Sequence, residues 1–316
     1  MEQAKSFQRF PRFRSLMLRE WMQHRNGWLV LLLAPSLLMA GLGLFDGRGL
    51  DLRLGDDAVT LAQLSQLPLV LQTLGWTLAT TGLALLLVSL TVLFQLPGLA
   101  RRDQQDRSIE FWRSLPTGHA QSIAATLLMH LLVLPAGALA AALLGAQLVA
   151  LLAIVPQHGL LPWLQQPWAA LLASLPLAIV RLWVGLLCAV LWLSPLLLLT
   201  MAASAWLKRW ALPVVTAASL LGVYWLDARL PMPLVAPAFN RIGTEALYAL
   251  LAPDLVEGRH AIQLDALSET VASLPLALLH DGLRVLASAA TPAFGAALLG
   301  AALGFALLVR RRQRAD

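Results

Sequence analysis

Apolar residues fall in long runs broken by short polar stretches. Six runs approach the roughly 20 residues that a helix needs to cross about 30 Å of hydrocarbon: 28–45, 69–96, 122–155, 175–205, 211–225 and 292–309. The third and fourth are long enough for a proline to interrupt them, at Pro135 and Pro195, with a kink or a break. Before the first run, residues 7–21 alternate Phe10, Phe13, Leu16, Leu18 and Trp21 with Arg9, Arg12, Arg14 and Arg19. That alternation predicts a basic amphipathic helix lying on anionic lipid. Between the fifth and sixth runs lies a larger segment, 226–290. Within it, 264–289 mixes Leu and Val with Asp265, Glu269, His280, Asp281 and Arg284, and predicts an amphipathic helix in the membrane interface.

Composition supports a membrane protein. Apolar residues make up 59% of the 316 and charged residues 13%, about half the charged share of a soluble domain. The stretch 40–45, Ala-Gly-Leu-Gly-Leu-Phe, carries no convincing small-x-small cleavage pattern, so the first run is expected to be retained. The charges are one-sided. Of the 23 Lys and Arg, six lie in 1–27, four in 97–121, two in 206–210 and four in 310–316. Basic loops stay on the cytoplasmic side, so six spans with both termini inside are expected. The basic surplus is then a matter of orientation, and with no soluble basic domain no nucleic-acid partner is expected. Tryptophan pairs at 21 and 28, 163 and 168, and 206 and 210 fall at span ends, as interfacial residues do.

Motifs for chemistry are sparse. The chain has no phosphate-binding G-x-x-x-x-G-K-[ST], no H-E-x-x-H and no G-x-S-x-G. No catalytic residue and no metal site is expected, and the six histidines show no ligand spacing. Cys188, the one cysteine, reads as a small core residue. Two ionisable residues inside the runs are candidate intramembrane polar sites. His130 suits a neutral, hydrogen-bonded helix-packing group, and Arg181 lies close enough to a span end to snorkel.

The loop between the second and third runs carries more. Over 108–115 a short helix puts Ile109, Trp112 and Arg113 on one face, with Phe111 and Leu115 on the neighbouring stripe and Pro116 as a stop. Asp106, Arg107, Glu110 and Arg113 rim it. Such a helix either lies on headgroups or docks a protein through its aromatics.

Residues 103–116, Asp-Gln-Gln-Asp-Arg-Ser-Ile-Glu-Phe-Trp-Arg-Ser-Leu-Pro, resemble the stretch after the second span in permease subunits of ABC-2 type ATP-binding-cassette transporters. One branch of that family carries D-x-x-D-R-S-I-x-F-W-[KR]-S-L-P there. The sequence departs from it at Thr117-Gly118-His119, where relatives often have a Ser-Asp cap. The resemblance implies an all-α integral membrane protein with the six-helix ABC-2 exporter (type V-like) fold, a single transmembrane domain over 1–316 led by a cytoplasmic amphipathic helix at 1–27. It also implies a bacterial inner-membrane location, pairing with a second permease copy as a homodimer or related heterodimer, and two copies of a cytoplasmic ATPase subunit that bind ATP and Mg. The loop becomes a coupling helix docked on that ATPase through Asp106, Arg107, Ile109, Glu110, Phe111, Trp112, Arg113, Leu115 and Pro116. The cargo is left open: an amphipathic molecule, peptide, lipid or drug. Two other jobs fit the same spans, a mechanical or signalling role of the complex with no solute, and an intramembrane lipid-modifying enzyme.

Overall fold

Long unbroken stretches of Leu, Ala and Val cannot hydrogen-bond their backbone to lipid, so in a bilayer they must satisfy it internally as helices. The computed structural model describes residues 9–44, 51–54, 57–60, 67–99, 118–207, 210–229, 235–251 and 267–314. Apart from short turns they are helical, with one small antiparallel hairpin, β1 (Asp51–Leu54) with β2 (Asp57–Thr60), in which Asp51 pairs with Thr60. The helices are α1 (Arg9–Leu44), α2 (Leu69–Leu99), α3 (His119–Leu128), α4 (Leu134–His158), α5 (Leu160–Leu164), α6 (Trp168–Leu207), α7 (Ala211–Leu221), α8 (Val235–Leu250), α9 (Leu267–Ser288) and α10 (Pro292–Arg314). Among the described residues, six helices are long and apolar enough to cross a membrane: Phe13–Leu44, Leu69–Leu96, His119–His158, Trp168–Ser204, Val271–Ser288 and Pro292–Arg314. Their outer faces carry exposed Leu33, Leu37, Phe94, Leu299 and Leu303, as lipid-facing surfaces do.

Contacts fix the direction of most of the long helices. Glu20 of α1 meets Thr126 of α3, Trp28 packs with Met129, and Gly43 meets Ala153 of α4, so α1 and α3–α4 run the same way. Helix α2 runs against them, with Gln72 beside His158, Thr77 beside Gln147 and Leu96 beside Ile123. Helix α6 also returns, from Gln166 next to Thr73 before its start to Leu198 and Met201 next to Ile123 and Leu131. Helix α10 descends beside it, Phe294 on Trp192, Gly300 on Pro195 and Gly304 on Leu198. At the finish, Arg311 stacks over Trp206 and Arg312 reaches Ser122 at 3.5 Å. The start of α1, the end of α2, the start of α3 and the ends of α6 and α10 therefore share one arginine-rich end. A polar belt of Gln72, Thr73, His158 and Gln166 marks the other. There Gly159, at φ 86°, makes the turn out of α4.

The prolines bend the ladder without cutting it. Pro135 has no N–H to give the carbonyl of Leu131. The preceding residues Met129–Val133 widen into a π turn, and the Leu134 N–H bonds back to Met129. Pro195 would orphan the carbonyl of Leu191, but the Ser194 hydroxyl donates to it at 2.6 Å. Helix α6 thus stays continuous for 40 residues, about 60 Å.

Three elements differ from the sequence expectation. The basic amphipathic helix expected over 7–21 is, from Arg9 on, continuous with the first span: α1 is one helix of 36 residues, and Leu16, Glu20 and Trp28 on one stripe are buried. The apolar run at 211–225 forms α7 and a π turn (Gly222–Leu226), about 24 Å of rise, shorter than a full crossing. Helix α9, expected in the interface, lies against the first half of α6. Asp281 meets Arg181, and Val285 joins the cluster of Ala189 and Trp192. Only residues 289–291 separate α9 from α10, and both run parallel to α6. Together they follow α6 as one broken helix. The Thr291 hydroxyl caps the second piece, accepting from the Phe294 N–H and donating to the Ser288 carbonyl.

Candidate functional site: two buried polar clusters

The loop positions Asp106, Arg107, Ile109, Glu110, Phe111, Trp112, Arg113, Leu115 and Pro116 lie outside the described residues. The two candidate intramembrane sites, His130 and Arg181, are described, and each is the centre of a cluster.

The first cluster belongs to the arginine-rich end. On α1, residues 16, 20, 24 and 28 recur at i+4 and so share one face, which packs on α3 and the π turn. The π turn adds a residue to the helical repeat and resets the direction of the side chains around it. His130, 1% exposed, stands there with Nε2 at 3.3 Å from Oε2 of Glu20, itself 3% exposed. The Thr126 hydroxyl lies 3.3 Å from the other carboxylate oxygen. The His24 ring stands edge-on to His130 with centroids 4.8 Å apart, and Trp28 closes the pocket at 6.1 Å. Nδ1 of His130 is buried without a hydrogen-bond partner. His130 thus packs against a carboxylate that the sequence reading had assigned to a surface helix.

The second cluster is built on α6. Arg181 is 6% exposed and does not snorkel. Its Nε donates to Oδ2 of Asp281 on α9 at 2.5 Å, and its Nη1 donates to the carbonyl of Ala249 at 2.7 Å. Ala249 is in the last turn of α8, where carbonyls have no helical N–H and the dipole favours a cation. Gly185, one turn along α6, lets this happen: a Cβ there would collide with the Ala249 carbonyl and the guanidinium. One side chain thereby ties together α6, α8 and α9. Asp281, expected on an interfacial helix, packs on α6 together with its counter-charge.

Sequence reasoning missed Glu20, His24 and Asp281. The first two left a signal, a Glu and a His four apart continuing the Leu16–Trp28 stripe. Asp281 left none, since its partner is 100 residues away. The first cluster can hold a proton or a cation between its carboxylate and its imidazoles. The second is a structural tie. Comparison with family models, curated proteins and solved structures found no match.

Proposed function

We propose that the chain is the membrane-spanning subunit of an ATP-driven ABC-2 type exporter in a bacterial inner membrane. It pairs with a second permease copy and takes its energy from a separate cytoplasmic ATPase subunit that binds ATP and Mg. The cargo is an amphipathic, peptide, lipid or drug-like molecule. The observation that carries this reading is the sequence of 103–116, in which Asp103, Asp106, Arg107, Ser108, Ile109, Phe111, Trp112, Arg113, Ser114, Leu115 and Pro116 fit the family pattern. The architecture supports it. The attachment points of that loop, the end of α2 and the start of α3, belong to the arginine-rich end, which membrane insertion keeps in the cytoplasm. ATP-driven closure of the ATPase pair would push on these two helix ends and rock the bundle as rigid bodies.

Co-purification with the ATPase subunit tests the reading. Trp112→Ala or Phe111→Ala should weaken the complex by about 2 kcal/mol or more, as truncation of a buried aromatic anchor does, while membrane insertion is unchanged. Undiminished recovery of the ATPase with the double variant would remove the support for a coupling helix.

A further inference from the structure

We propose that Glu20, His24 and His130 form a binding site for a first-row divalent cation, zinc foremost, that staples α1 to the α3–α4 helix. One ligand atom from each of the three lies within 4.8 Å of the other two. The spacing within the cluster fits an ion as well as a hydrogen bond. A charge-assisted N–H···O contact closes to about 2.7–2.9 Å, whereas His130 Nε2 and Glu20 Oε2 stand 3.3 Å apart. Two ligands each about 2.0–2.1 Å from a tetrahedral zinc stand about 3.3–3.4 Å apart. That edge of the tetrahedron is already formed, and a rotation of the half-buried His24 ring brings in the third ligand.

The donor set selects the ion. Two imidazoles and one carboxylate suit zinc, cobalt and nickel, whereas calcium and magnesium take oxygen ligands. Three protein ligands leave a fourth position for water. The backbone points the same way: the π turn at Met129–Val133, a feature frequent at functional sites, is what carries His130. The ring's Nδ1 has no hydrogen-bond partner. Metal-bound imidazoles usually anchor that atom, and losing the anchor costs about 10–100-fold in affinity. The site should therefore bind zinc more weakly than a closed structural site does, and exchange it. Nothing in this assignment depends on the coupling loop.

The test uses the full chain in detergent with any purification tag removed. Titration with cobalt should give one ion per chain, with the visible absorption of a low-coordinate site, displaced by zinc. His24→Ala and Glu20→Gln should each weaken binding by roughly 10-fold or more. His158→Ala, at the opposite end of the bundle, should leave it unchanged. Zinc should raise the melting temperature of the wild type and not that of His24→Ala. Should His130→Ala fail to fold, the half-buried His24 decides the matter alone. Absence of a stoichiometric cobalt complex, or equal binding by wild type, His24→Ala and Glu20→Gln, overturns the proposal and leaves a Glu–His hydrogen bond.

Discussion

Arg181 shows how far a single residue can be read from sequence. A cation near the end of an apolar run has a cheap way out by extending to the interface, and that was the expectation. The structure gives it a better one, two acceptors on two other helices at 2.5 and 2.7 Å. Neither acceptor is visible in the local pattern: Asp281 belongs to a segment read as surface, and Ala249 contributes only a main-chain carbonyl. Removing one partner of a buried ion pair strands the other, at a cost of about 3–5 kcal/mol, whereas replacing both by apolar groups is often close to neutral. Asp281→Leu alone should therefore lower thermal stability in detergent sharply, and Arg181→Met with Asp281→Leu should recover much of it. Additive losses in the double variant would show that the two charges act separately. Ser194 makes the same point in miniature: its hydroxyl repairs the carbonyl that Pro195 orphans, a local rule that the sequence does expose once the helix is known to continue.

Among the elements, those set by hydrophobic periodicity and length were legible, and those set by partners were not. The runs at 69–96, 122–155, 175–205 and 292–309 all fall within long helices. The proline at 135 was legible as an irregularity but not as a π turn, because the choice between kink, break and bulge depends on what packs alongside. Helix α9 is the case in point: its charges argued for the interface, and its Asp281 meets the guanidinium of α6, a partner that the local pattern does not show; a place within the bilayer beside α6 is the expectation. Leu283, exposed on α9, checks this in a Cys188→Ser background. A cysteine at position 283 should resist a membrane-impermeant thiol reagent in intact vesicles and react after denaturation. Ready labelling in intact vesicles would return α9 to the surface.

For the whole molecule, α1 begins and α10 ends at one arginine-rich end, where Arg311 stacks over Trp206 and Arg312 reaches Ser122. The expectation that both termini face the same side of the membrane rests on charge, because the six basic residues of 1–27 and the four of 310–316 need the same side. Reporter fusions at Asp316 and near Gly258 should report opposite sides of the membrane, and agreement between them would contradict the arrangement. What charge could not reveal was which helix pairs come close, since that rests on small residues such as Gly185, Gly300 and Gly304 meeting particular neighbours.

The tie between Arg181 and Asp281 also has a history during synthesis. The two residues are 100 positions apart, and ribosomes add about 5–20 residues per second. For about 5–20 s each nascent chain therefore holds α6 in the membrane with its arginine waiting for an acidic partner not yet made. The carbonyl of Ala249, 68 residues after Arg181, arrives earlier and can shelter the cation but not neutralise it. A chain cut short before α9 would keep that uncompensated charge for its lifetime, an intrinsic mark by which the cell's membrane proteases could tell an unfinished copy from a finished one.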